Sequence, residues 1–140
     1  MKKLLAILLI VGIQLVPLNA FAYLRSAAGY SPILQINSQS GAYGLVLSDA
    51  NKVILHPTAD SSARTFTIPA NSSVPFAVGT MITIVNETGA GVVTLAITTD
   101  TMYLAGAAAT TGSRTLTAYC VATILKITST EWVISGVGVT

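Results

Sequence analysis

The chain has 140 residues, of which 52 % are hydrophobic and only 9 % are charged, and its formal net charge at pH 7 is +2. Apart from the pair Lys2 and Lys3, its basic residues are scattered singly, so it lacks the basic cluster that a nucleic-acid partner requires. Its single cysteine, Cys120, cannot form a disulfide within the chain, and we expect it to be a small core residue.

The N-terminus has the three parts of a secretory signal in the right order. Lys2 and Lys3 precede an apolar run over residues 4–16, and the small-x-small pattern Ala20-Phe21-Ala22 follows. The apolar run of about thirteen residues is shorter than the roughly twenty that a membrane-spanning helix needs. We therefore predict a cleaved signal peptide over residues 1–22, export to the cell surface or beyond, and no stable membrane span. The alternative is an N-terminal segment that is retained for anchoring or assembly.

The chain after residue 22 is electrically balanced. Without Lys2 and Lys3 it has five basic and five acidic residues. A surface with so few charges keeps a small monomer poorly soluble, so we predict a homo-oligomer. Residues 23–30 are predicted to be a linker or tail, and residues 31–140 are predicted to form one β-rich domain.

Short strands and turns dominate the sequence of this domain. A strand is predicted at residues 33–36, and residues 42–47 and 52–55 are predicted to pair as a hairpin around a turn with Asp49 and Asn51. Residues 64–68 alternate between apolar and hydroxyl side chains, which is typical of a half-buried strand.

A second hairpin is predicted from two β-branched segments. Residues 81–86 and 92–97 flank a glycine-bearing turn over residues 87–91. Further strands are predicted at 102–104, within 116–127 and at 132–134, with a loop of small residues at 105–112. The pattern predicts an all-β fold, an antiparallel β-sandwich or a jelly-roll-like domain.

The residues that usually carry catalysis or bind metals are few and dispersed. His56 is the only histidine, and we expect it to bond local backbone or the nearby Asp60 carboxylate rather than to activate Ser61 or Ser62. One histidine and one cysteine cannot form a zinc site, and the isolated acids form no calcium loop. We therefore predict no catalytic residue, no metal and no cofactor; an exported hydrolase is the enzymatic alternative.

Three aromatic residues are candidates for contact with a ligand. Trp132, Tyr103 and Tyr119 have amphipathic rings that could stack on a sugar. The alternative for Trp132 is a place in the core, because it lies between Glu131 and Val133 on a predicted terminal strand.

A family resemblance narrows the prediction of function. Residues 39–140 resemble a β domain of bacteriophage tail-fibre and related virion structural proteins, through the segments Tyr43-Gly44-Leu45-Val46-Leu47-Ser48-Asp49, Ile54-Leu55-His56-Pro57-Thr58-Ala59-Asp60, Arg64-Thr65-Phe66-Thr67-Ile68-Pro69-Ala70-Asn71, Val78-Gly79-Thr80, Gly112-Ser113-Arg114-Thr115-Leu116 and Trp132-Val133-Ile134-Ser135-Gly136. The resemblance implies a trimeric, non-enzymatic module for host attachment, with virion proteins or a surface carbohydrate as partners. Since phage virion proteins usually lack an export signal, a secreted bacterial adhesin or an extracellular filament or matrix subunit is the alternative.

Overall fold

The structure is a computed structural model that describes residues 33–107 and 110–140. The predicted signal peptide (1–22) and the predicted linker (23–30) lie outside the described residues. The described residues form nine β-strands and one short 3₁₀ helix, with no α-helix, so the all-β prediction is confirmed. The elements are β1 Ile36–Ser38, β2 Tyr43–Gly44, the 3₁₀ helix Leu47–Asp49, β3 Val53–His56, β4 Arg64–Ile68, β5 Met81–Asn86, β6 Val93–Ile97, β7 Thr101–Leu104, β8 Arg114–Lys126 and β9 Glu131–Val139.

The first six strands form two parallel ladders. The odd-numbered strands pair in the order β1-β3-β5 and the even-numbered strands in the order β2-β4-β6, so the chain crosses from one ladder to the other after each strand. The long strand β8 joins the ladders, because one half of it pairs antiparallel with β5 and the other half pairs antiparallel with β6.

The last strand extends the sheet on the opposite edge of β8. Ile124 pairs with Ile82 of β5 and also with Ile134 of β9, which places β5 and β9 on the two edges of β8. Strand β7 then pairs with β9 in parallel. The result is a curled, mixed sheet.

The two predicted hairpins are wrong, and the sheet is mixed rather than antiparallel, although β8 and β9 do pair antiparallel as consecutive strands. Strand β2 pairs with β4 rather than with β3, and β5 and β6 each pair with β8 rather than with one another. Of the eight strand pairings in the described residues, five are parallel. The sequence predicted the strands, because side-chain alternation is local. It did not predict their partners, because a glycine-bearing loop of five residues suits both a hairpin and a crossing between ladders.

The core lies between the two ladders. Alternate residues of β3, β4, β5 and β6 and of the two ends of β8 are buried, as the twofold periodicity of a strand predicts. A ring contact between His56 of β3 and Phe66 of β4, with centroids 6.1 Å apart, joins the two ladders across this core. Its largest fully buried apolar side chains are Trp132, Phe66, Leu45, Ile54, Ile68, Ile82, Ile84, Leu95, Met102, Leu116 and Ile124.

Candidate ligand site beside Tyr119

Strand β8 bulges where it passes from β5 to β6. Leu116 lies opposite Val139, but Val121 lies opposite Val137, so β8 uses five steps where β9 uses two. The additional residues of β8 must leave the regular ladder, as in a large β-bulge. Bulges commonly lie where a strand presents a side chain for function.

Tyr119 occupies this bulge in an unusual conformation. Its φ is +62°, a left-handed value that is rare for a bulky residue, and its side chain is 83 % exposed. A strained backbone of this kind costs on the order of 1–3 kcal/mol and is found mostly where function requires it. The structure therefore supports Tyr119 as a candidate functional residue, and its left-handed conformation is a feature that no sequence pattern signals.

Strand β9 accommodates the bulge through a glycine. Gly138 has φ +79°, and a Cβ atom at this position would lie 2.3 Å from Sγ of Cys120. Cys120 is half-buried against the core and its thiol lies 3.4 Å from the Thr117 hydroxyl. The prediction that Cys120 packs as a small apolar residue is consistent with this position.

A pocket of about 410 Å³ opens beside Tyr119. It is lined by Thr58, Val85, Asn86, Glu87, Thr88, Tyr119, Cys120 and Val121. The lining combines apolar and aromatic surface with a few hydroxyl groups and one carboxylate, a composition that suits a small ligand with both apolar and polar groups.

Hydrogen bonds fix the polar wall of this pocket. Oε2 of Glu87 accepts from the backbone N–H of Thr58 at 2.7 Å and from its hydroxyl at 3.0 Å. The N–H of Tyr119 donates to the backbone oxygen of Glu87 at 3.3 Å, which ties the bulge to the β5–β6 loop. Oε1 of Glu87 accepts no hydrogen bond from the part of the chain that the structure describes, so this oxygen is free to accept one from a ligand.

The three predicted ligand contacts do not converge. Trp132 has no exposed surface; it stacks edge-on against Phe76 and lies beneath the Lys126 ammonium at 4.9 Å. Tyr103 is half-buried, and its hydroxyl donates to Glu131, whose carboxylate raises the pKa of this phenol. Because Met102 and Tyr103 pair with Trp132 and Val133, Tyr103 and Trp132 also lie on opposite faces of the sheet. Of the three, only Tyr119 is largely exposed to solvent.

His56 is enclosed in a polar network inside the fold. Nε2 lies 3.1 Å from Oδ2 of Asp60, which confirms the predicted contact, and Nδ1 lies 2.9 Å from Oδ1 of Asn86. Asn86 donates its amide hydrogens to the backbone oxygens of Gly91 and Leu116, so its oxygen must face the ring. Both nitrogens of the buried imidazole therefore face oxygen acceptors, and neither is free to act as a general base on a substrate.

Arg64 completes this network on the outer side of Asp60. Nε of Arg64 lies 2.6 Å from Oδ2 of Asp60, and its second nitrogen lies 3.1 Å from Oδ1. The hydrogen bonds from Arg64 hold the pKa of the Asp60 carboxyl well below its usual range, with smaller help from His56 and from the Ser62 N–H, and against the effect of burial. Asp60 is therefore a structural anion that joins β3 to β4.

Within residues 33–107 and 110–140, no three His, Cys, Asp or Glu side chains cluster as metal ligands would. The same residues include no helix with the length and hydropathy to span a membrane.

No protein-family model, curated protein or solved structure matches the chain. The resemblance to phage tail-fibre domains thus stays a prediction from the sequence segments.

Proposed function

We propose that the protein is a non-enzymatic structural and attachment module of the phage-fibre type, which assembles as a homo-oligomer and contacts a surface glycan beside Tyr119. In this proposal the two facing ladders form a sandwich-like β module, and three copies associate as the resemblance implies. The chain is exported, or it is part of a virion if residues 1–22 are retained.

The observation that carries this proposal is the exposed, strained Tyr119 at the rim of a pocket. An exposed aromatic ring offers a flat apolar surface to the face of a sugar, and its neighbours supply hydroxyl groups and a carboxylate oxygen for the sugar hydroxyls. The absence of a basic side chain from the pocket lining favours a neutral saccharide over an anionic one.

Attachment without catalysis also suits the titratable groups. The only imidazole is buried with both nitrogens engaged, and Asp60, its acidic neighbour, is held ionised by Arg64. A hydrolase would need a group that can exchange a proton with its substrate near the pH at which the enzyme works.

A second candidate is a secreted adhesin or filament subunit that polymerises by strand addition. It is favoured by the second edge of β1, which pairs with no strand among residues 33–107 and 110–140, and by the exposed side chains of Ile33, Leu34 and Ile36 in and just before this strand. An edge of this kind can accept a strand from another chain.

A glycan array tests the proposed attachment. The wild-type protein and Tyr119→Phe should bind the same saccharides, whereas Tyr119→Ala should lose the signal, since phenylalanine retains the flat ring and alanine does not. If the wild-type protein binds no saccharide, or if Tyr119→Ala binds as well as the wild type does, the proposal is wrong. Growth of the protein into filaments would instead support strand addition.

A further inference from the structure

The outer face of the sheet β1-β3-β5-β8-β9-β7 carries apolar and hydroxyl side chains and no charge within its three rows. The strand registers place its outward side chains in three rows that run across the strands. The first row is Ser38, Leu55, Val85, Val121 and Val137; the middle row is Ile36, Val53, Thr83, Thr123 and Ser135; the third row is Met81, Leu125, Val133 and Tyr103. We call this surface the outer face.

The outer face is accessible in the part of the chain that the structure describes. Ile36, Met81, Val121, Leu125 and Val137 are all exposed large apolar residues. None of the side chains in the three rows is charged, and the carboxylate of Glu131 lies next to the third row, at the border. An apolar sheet face of this extent is typical of an interaction surface rather than of a solvated one.

The topology gives a second reason to expect a cover. Parallel ladders in proteins are normally covered on both faces. A strand with one face in water instead alternates between apolar residues that face the core and polar residues that face water. The ladder β1-β3-β5 is parallel and its inner face is already covered by the core. Among the residues that the structure describes, no second layer covers its outer face.

The chemistry of the three rows fits a second copy of the same chain. Thr83, Thr123 and Ser135 form a central line of hydroxyls, and Oγ1 of Thr83 lies 3.5 Å from Oγ1 of Thr123. A hydroxyl both donates and accepts, so this line can hydrogen-bond to its own copy, with apolar rows meeting on either side. A charged face would repel its copy.

The dimensions are also sufficient. From strand spacing and rise, the three rows cover a projected area on the order of 500 Å². The accessible surface of corrugated side chains is larger than their projected area, and a standard protein interface buries about 800 Å² of accessible surface per partner. The outer face can thus supply most of such an interface.

We infer that the outer face is the surface through which copies of this chain associate. The inference rests on the homo-oligomer of the proposed function and identifies its interface. It places the contact away from the Tyr119 pocket, apart from Val85 and Val121, which border both.

Two lysine substitutions at matched exposure test the inference. Leu125 lies on the outer face with 38 % of its surface exposed, and Val92 lies outside that face with 40 % exposed. In light scattering on the purified full chain, the wild type and Val92→Lys should share a mass of two or more chains. Leu125→Lys should weaken association by about a hundredfold or more, because it places an unpaired ammonium in the interface.

Met81→Lys, on the neighbouring strand, is a second outer-face variant, and circular dichroism checks that each variant folds. A monomeric wild type, or two folded outer-face variants that associate like Val92→Lys, would overturn the inference. If residues 1–32 of the same chain cover the outer face, the wild type is monomeric, and this result overturns the inference. Because Leu125 and Met81 do not line the pocket, glycan binding by their monomers reports separately on the proposed function.

Discussion

Both faces of the β3-β5-β8-β9 sheet carry large apolar side chains, but their polar groups differ. The inner face buries polar and charged groups within the apolar core, among them His56 and Lys126, whereas the three rows of the outer face combine apolar side chains with hydroxyls and have no charge. Buried polar groups are tolerated when they are paired, and exposed apolar groups are retained when another surface covers them. The described residues thus bury their inner face in the core and leave large apolar side chains of the outer face exposed.

The inner polar groups form separate networks at the corners between the ladders. At one end, Asp49 accepts from the Tyr43 hydroxyl at 2.8 Å and from the Asn37 amide at 3.0 Å, which links β1 to β2. Burial and the contact with Asp49 raise the pKa of Tyr43. This network closes the end of the core.

A second inner network surrounds Lys126. Its ammonium donates to Asn71 Oδ1 at 3.0 Å and lies 3.7 Å from Oδ2 of Asp100, above the ring of Trp132. The ammonium is thus paired on one side and in cation–π contact on the other. The charge is satisfied within the chain and requires no partner.

The largest expected effect on stability comes from a comparison of two adjacent residues of β8 whose side chains lie on opposite faces of the sheet. Ile124 is fully buried, so Ile124→Ala should lower the free energy of unfolding by about 3 kcal/mol. Leu125→Ala should cost less in dilute protein and should mainly weaken association. Urea unfolding at low and high protein concentration measures both. If the two variants lose the same free energy of unfolding at low protein concentration, the two faces do not differ in their contribution to the stability of the single chain.

The next largest effect on stability is expected in the network of His56, Asp60 and Arg64. Asp60→Asn should lower the urea midpoint at pH 7, by less than Ile124→Ala does, because the Arg64 side chain is 32 % exposed and partly screened. The pKa of Asp60 is lower in the folded state than in the unfolded state. Its contribution is therefore complete above the unfolded pKa near 4 and is lost as the pH falls through the folded value.

Urea midpoints of the wild type and Asp60→Asn between pH 7 and pH 2 check this dependence. The gap between the two proteins should narrow below pH 4. A gap that is constant across this range, or that widens on acidification, contradicts the assigned role of Asp60. The same pH series in an Arg64→Gln background should show a smaller effect of Asp60→Asn on the urea midpoint, since the principal partner of Asp60 is then absent.

The bulge at the border of the outer face is the third target. Gly138→Ala should destabilise the protein by about 2 kcal/mol, because a left-handed φ and a clash with Cys120 act together. Adding Cys120→Ala should recover only part of the loss, because the backbone strain at residue 138 remains. Thermal unfolding of the single and double variants measures this, and full recovery in the double variant would show that φ has no part in the effect.

Tyr119→Gly should have the smallest effect on stability and the opposite sign. Glycine adopts φ near +60° without strain, so this change should stabilise the fold by about 1 kcal/mol while it removes the ring from the pocket. A variant that is more stable and no longer binds glycans would show that strain at Tyr119 is retained for function. A loss of stability would mean that the Tyr119 ring contributes to packing.

Local patterns predicted the strands but not their assembly. Residues 64–68 and 81–86 were predicted with the bounds that the structure gives, because alternating β-branched residues specify an extended segment by themselves. The predicted hairpin of 81–86 with 92–97 was wrong, because both arms take β8 as their partner, and Asn86 pairs with Cys120, 34 residues further along the chain. Pairing at such separations leaves no local signal.

The candidate site was also predicted from the sequence only in part. The contact of His56 with Asp60 was predicted because the two residues are close in sequence, whereas Asn86 was missed because it comes from another strand. Tyr119 was named for its aromatic ring alone. Its left-handed φ and the pocket beside it depend on the offset between β8 and β9, which only the folded chain reveals.

The central claim is that the outer face is completed by further copies of the chain. The most direct measurement is the mass of the purified wild-type protein by light scattering over a hundredfold range of concentration. The account predicts a mass of two or more chains that persists on dilution. A monodisperse single chain at every concentration would contradict it.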